Sequence, residues 1–215
     1  MNYPLAFHTL NQFSRSISQI DQLDQLLWYI TDTCTRFLHL EDFVIYIRKE
    51  KENALVQSAA FGQKCGANQS ILNPLQIPIG QGIVGLSALT QEAQKVDDTR
   101  QNDHYLIDDQ QRLSELAVPI IWNNKVIGVI DSEHRHPAYF STIYVDIFCL
   151  IATLCAPIID QLQRKEKKKI STENKYYDQL VQLLEKEKIY RDKYLSLNSV
   201  AQRLQISPIY LSKIV

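Results

Sequence analysis

The 215-residue chain has no apolar run that reads as long enough to cross a membrane, and its start, Met1 to Leu10, lacks a basic head followed by an apolar stretch. The expectation is no membrane span and no secretory signal. Its four cysteines, Cys34, Cys65, Cys149 and Cys155, never stand in C-x-x-C spacing. That removes a zinc ribbon and a dithiol redox pair, and singly scattered thiols suit the cytoplasm. No internal repeat is present, and no cysteine falls between Gly80 and Glu133. Neither a metal nor a cofactor is expected.

What is present is globular: 45% apolar and 22% charged residues, enough for one ordinary domain and an appendage. The net charge of −1 conceals an asymmetry. Residues 1–160 hold 11 Lys+Arg and 18 Asp+Glu, a balance of −7, while residues 161–215 hold 12 and 6, a balance of +6. A basic tail behind an acidic body fits a nucleic-acid contact or, equally, a solvated basic helix.

Along the chain the period changes. Leu23, Leu26, Leu27, Ile30, Cys34, Phe37 and Leu38 recur at helical steps behind a potential cap at Asp21, with a weaker helix before them. Residues 43–48 and 54–61 read as a strand pair, 83–90 as a short helix, and 116–122 with 125–132 as a hairpin turning at Asn123-Asn124, residues that tolerate positive φ. A helix is expected from Ser141 to about Gln163, kinked at Pro157, then a linker RKEKKK and a second helix from Lys175 to Asp192 with a narrow apolar seam. The order predicts an α+β domain with an antiparallel sheet and helices on one side.

Gly80-Gln-Gly82-Ile-Val-Gly85 matches G-x-G-x-x-G. The strand before it is short and carries Pro78, and the neighbouring strands pair by hairpins, so a dinucleotide fold is set aside. The glycines read instead as a tight helix entry that lets the helix lie close to the sheet.

The stretches IPIGQGIVGLSALTQEAQKVDDTRQNDHYL and SELAVPIIWNNKVIGVIDSEH resemble a GAF domain. The resemblance implies a sensory module that dimerises through terminal helices and holds a small ligand between the sheet and the connection facing it. It points to Asp97, Asp98, His104, Tyr105, Asp131 and Glu133 as ligand-binding residues, with Asn102, Asp103, Asp108 and Asp109 beside them. A solvated acidic loop without ligand is the alternative. His134 and His136, on one side of an extended segment, could share a metal with Asp131 or Glu133, or simply end a strand in solvent. His104 is a loop histidine, with haem ligation as its alternative. One branch of the family, the free methionine sulfoxide reductases, uses cysteines in the pocket loops. Their absence here leads to the expectation of no enzymatic activity. Cys65, beside Lys64, is the one candidate reactive thiol.

The last segment, LSLNSVAQRLQISPIYLSKIV, reads as a helix, a break at Gln205-Ile206-Ser207, and a second helix capped by Ser207 with Pro208 at its first position. It resembles the first helix-turn-helix of AraC-type regulators, with the second helix cut short. That resemblance implies DNA contact through Ser207, Pro208, Tyr210, Ser212 and Lys213. Ile209, Leu211 and Ile214 would line its buried side, with Leu211 and Ile214 left partly uncovered. The expected organisation is a sensory domain over 1–163, a basic linker helix over 164–194 and an incomplete reader over 195–215. The expected function is a cytoplasmic, homodimeric transcription regulator of AraC type responding to an unknown small molecule. A ligand-free dimerisation module and a methionine sulfoxide reductase are the alternatives.

Overall fold

The switch from helical to alternating spacing at Phe43 is where the sheet begins. The computed structural model describes residues 3–66, 68–71, 74–107 and 110–215. Two helices, α1 (Tyr3–Ile17) and α2 (Leu23–Leu38), lead in. Gln22 rather than Asp21 occupies the cap position of α2, without a side-chain cap bond. The strands are β1 (Phe43–Lys49), β2 (Ala54–Phe61), the short pair β3 (Cys65–Gly66) and β4 (Ser70–Ile71), β5 (Gln76–Pro78), β6 (Gln94–Val96), β7 (Ser114–Trp122) and β8 (Lys125–His134). Six of them form one sheet in the order β5-β2-β1-β8-β7-β6, and each of its pairings is antiparallel. Asn123 and Asn124 take φ of 50° and 59° at the β7–β8 turn, the conformation that matches strand twist in a tight hairpin.

Alternation along each strand sorts side chains to two faces. Phe43, Ile45, Ile47, Leu116, Val118, Ile120 and Ile130 pack on one face with α2 and with Phe148, Ile151, Cys155 and Ile159 of α4 (Thr142–Glu185). Val44, Tyr46, Leu55, Ala117 and Val129 face the other side and meet Ile83, Val84 and Ala88 of α3 (Gly82–Thr90). The helices are therefore not all on one side of the sheet, because the glycine-bracketed helix covers the face opposite α2 and α4. A Cβ on Gly85 would lie 2.5 Å from the Pro78 carbonyl oxygen, so glycine permits this close approach of helix to strand.

Helix α4 corrects the expected linker. It passes through Pro157 and RKEKKK without interruption, since Lys, Arg and Glu are good helix formers and the proline removes a single hydrogen bond. Part of α4 is, by length and composition, long and apolar enough to cross a membrane, contrary to the sequence expectation. Phe148, Ile151, Ala152, Cys155, Ala156 and Ile159 on it are buried core residues, and 33% of that apolar window is buried.

Two compact units result, residues 1–162 and 163–215. In the second, Leu180 and Ile189 pack with Val200, Ala201, Leu204 and Leu211 from α5 (Leu197–Arg203) and α6 (Pro208–Ile214). Ser196 and Ser199 form a reciprocal capping box, and Ser207 accepts from the Tyr210 N–H at 3.1 Å. Leu211 is buried rather than uncovered, and Ile209 is exposed rather than inward.

Candidate functional site

The α3 face of the sheet carries three acids that sequence alternation places in phase. Glu115 on β7 is directly opposite Glu133 on β8, and Asp131 is opposite both Ala117 and Val44. All three are buried and line one wall of a cavity of about 210 Å³. Tyr46, Leu75, Ile77 and Pro78 line a second wall, and Leu106 and Ile107 reach in from the connection that follows β6. Gln81, Gly82, Ile83 and Val84, the start of α3, complete it. Gly82 has φ of +68° and Gln81 makes no side-chain cap bond, so the first N–H groups of α3 keep donors to offer a ligand.

The electrostatics are one-sided. No lysine, arginine or histidine lines the cavity among the described residues. Burial, then the neighbouring Asp131 and Glu133, push the Glu115 carboxyl well above the usual carboxylate range, and Glu115 shares a hydrogen bond with Asp131. A buried acid in that setting holds its proton. Behind the wall, the Lys64 ammonium lies 3.1 Å from Glu133 Oε2 and 3.3 Å from Asp42 Oδ2. The Tyr105 hydroxyl bonds to Glu133 and accepts from the Arg112 N–H at 2.8 Å. Burial raises the Tyr105 phenol, and it stays protonated as a donor.

The structure gathers some of the expected residues and disperses others. Asp131 and Glu133 line the cavity, and Tyr105 stands behind it. Asp97, Asp98 and His104 do not line it. Asp97 pairs with Lys95. Asp98 is held by the Arg100 guanidinium, which lowers its carboxyl to about 2, and it caps the turn at Arg100 N. His104 is exposed, its backbone N–H donating to Asn102 Oδ1. Loop polar groups that satisfy one another have nothing left to aim inward. Asp108 and Asp109 lie outside the described residues. Glu115 and Lys64 were not foreseen. Glu115 was detectable as an acid in phase with Ala117 in the strand SELAVPI, once the Asn123-Asn124 turn fixes the register.

His134 follows the same alternation to the opposite face, where its Nε2 lies 3.0 Å from Glu41 and its ring stacks on Tyr139 at 3.5 Å. It is thereby separated from Asp131 and Glu133, and no three potential ligands gather as a metal site among the described residues. Of the four thiols, Cys34 and Cys155 are buried in the α2–α4 core with acidities suppressed by burial, Cys155 up to about 12. Cys149 is exposed on α4. Cys65 is half-buried on β3, where it pairs with Ile71, a residue packed on the α3-side core. No cysteine lines the cavity.

In the second unit, Ser207 caps α6, and Pro208, Tyr210, Ser212 and Lys213 lie along it. The Tyr210 ring meets Tyr176 edge-on at 5.8 Å.

Known proteins resemble this chain. The free methionine-R-sulfoxide reductase of Escherichia coli (strain K12) is 29% identical over 68 residues, which is 32% of this chain and 41% of that protein. The Saccharomyces cerevisiae reductase of the same name is 39% identical over 74 residues, which is 31% and 41% respectively. The chain thus spans under half the length of these curated relatives. The fold is shared with the GAF domain of a phosphoenolpyruvate-protein phosphotransferase from Coxiella burnetii, at TM-score 0.68 and 18% identity over 78% of this chain and 99% of that one. The expectations of a DNA-binding transcription regulator of AraC type and of a chain without enzymatic activity are overturned by these matches, because the curated relatives are enzymes of the reductase kind. Residues 21–160 match the family described as GAF domain, with the antiparallel sheet and the cavity lying within that span, and the chain belongs to the GAF domain family.

Proposed function

We propose that this chain acts on a free amino-acid sulfoxide of the methionine-R-sulfoxide class, bound in the cavity between β7–β8 and α3. The observation that carries the reading is the buried carboxylate wall in an otherwise apolar pocket. A cluster of buried acids outnumbering its cation favours a positively charged partner. The ammonium of an amino acid meets Glu115, Asp131 and Glu133. Its carboxylate meets the free N–H groups at the start of α3, and its thioether-like chain lies on Leu106, Ile107 and Ile83. The names of the curated relatives support the same ligand class.

Reduction needs a thiol; no cysteine lines the cavity, so the reading requires half-buried Cys65, whose strand partner Ile71 packs on the α3-side core, to come within reach of the bound sulfoxide. The Cys65 sulfur attacks the sulfoxide sulfur. The oxygen passes to Cys65 as a sulfenic acid and the sulfide leaves. Two equivalents of an external thiol then return Cys65 to the thiol, releasing water and a disulfide. The test is turnover of free methionine-R-sulfoxide with a thiol reductant, set beside calorimetric binding of the same compound. Turnover that C65S abolishes, with binding retained, supports the reading. Binding without turnover rejects the reduction and keeps the recognition. No binding rejects both.

A further inference from the structure

Lys64 does not line the cavity, yet it is among the most buried charged residues in the chain, its side chain 5% exposed. A lysine is buried at this depth only when its charge is matched. Two carboxylates match it, Asp42 from the segment before β1 and Glu133 from β8. Asp131 on β8 and Glu115 on β7 are the other acids of the cluster, and Tyr105 faces Glu133 from the connecting segment. Two carboxylates thus contact the ammonium, and Glu115 and Asp131 extend the acidic cluster beyond Glu133.

The position of that ammonium decides which acid keeps its charge. Glu115 has Asp131 and Glu133 as its main electrostatic neighbours and is pushed toward the protonated form, with Lys64 only a minor counterweight. Glu133 has Lys64 in direct contact. An opposite charge at hydrogen-bond distance favours the ionised form and fixes the carboxylate in place. Glu133 is also the acid that both touches Lys64 and lines the cavity.

We infer that Lys64 is a specificity-determining positioning residue. Acting from behind Glu133, it keeps that carboxylate ionised and oriented, so that the pocket selects a ligand bearing an ammonium group over the same ligand without one. The ligand class rests on the reading proposed above, but the effect of Lys64 on Glu133 does not.

The experiment compares the full chain with K64M, K64R and E133Q. Calorimetry reads affinity for methionine sulfoxide against its desamino analogue across the carboxylate pH range. The parent is expected to prefer the amine by about tenfold or more. K64M and E133Q should reduce that preference to about threefold or less, and in K64M the pH midpoint for amine binding should move upward. K64R should retain both. Infrared spectra of the unliganded proteins provide a readout without ligand. K64M should gain a second protonated-carboxyl band, beside that of Glu115, which is absent from the parent, from K64R and from the K64M/E133Q double variant. If methionine sulfoxide does not bind the parent, the proposed substrate fails, while the infrared band and the preference for pentylamine over pentanol still decide the role of Lys64. A folded K64M with the parent's preference, midpoint and carboxyl bands would overturn the inference. So would an E133Q variant with undiminished preference for the amine, even if K64M failed to fold.

Discussion

At the scale of single residues, Glu115 carries the plainest pH signature. Its folded acidity is weaker than the ordinary carboxyl value of 4.5 because burial and two neighbouring acids disfavour the ionised form. The native state therefore binds the proton more tightly than the unfolded chain, and stability from this group falls as pH rises above 4.5 through its raised native value. E115Q, which has no proton to lose, should be less stable than the parent below that window or equal to it, and relatively more stable above it. Urea midpoints of the two proteins across the range measure the crossing, and parallel curves would remove Glu115 as a buried titrating group. Asp98 behaves oppositely. Its carboxyl is lowered to about 2 by Arg100 at the surface, so its contribution is present above the ordinary carboxylate range and is lost on acidification. Asp131 and Glu133 could be read from the sequence because they alternate at the end of an obvious strand. Asp97, Asp98 and His104 could not be placed, because side-chain bonds within a loop leave no periodic trace.

At the scale of elements, α3 joins fold to site. Its sequence was legible as a short helix between glycines, and the close approach those glycines permit is present at Gly85. What the sequence did not reveal is the side of the sheet it occupies, since a nine-residue helix with apolar residues all round has no face to read. G85A would place a methyl 2.5 Å from the Pro78 oxygen and 3.1 Å from the Gly80 nitrogen. Both are backbone atoms, so α3 or β5 must shift. The expected cost is about 1–3 kcal/mol, the range for overpacking, read as a lower urea midpoint. Ligand affinity should fall with it, because the first turn of α3 lines the cavity. A88G, buried on the same helix, is the control: it should cost about 1 kcal/mol of helix propensity plus its buried methyl, with affinity kept. Equal loss of affinity in both would mean that α3 acts only through general stability. The continuity of α4 was not legible, for the reverse reason. RKEKKK has the composition of a solvated linker, but those residues also propagate a helix.

At the scale of the whole molecule, the acidic front and basic rear seen in the charge count mark two units with separate cores. The buried cluster of the first ends at Leu162, and that of the second begins at Leu180. Function was least legible at this scale. Ser207, Pro208 and the helix pair around them satisfy capping rules that any two packed helices obey, so they specify local structure without specifying a partner. The cavity, by contrast, combines groups from β7, β8, α3 and the connection before β7, residues far apart in sequence that become neighbours only through sheet register. Separate cores have a thermodynamic consequence. Whatever binds the native cavity stabilises the unit that contains it by mass action, by about 2.7 kcal/mol at a hundredfold excess over Kd. Scanning calorimetry is therefore expected to resolve two transitions. Methionine sulfoxide should move the transition that belongs to residues 1–162 and leave the other in place. A chain ending at Leu162 should retain the ligand-sensitive transition with the same shift. One transition that moves as a whole, or a shortened chain that no longer melts cooperatively, would show that the two cores unfold as one and that the second unit supports the pocket.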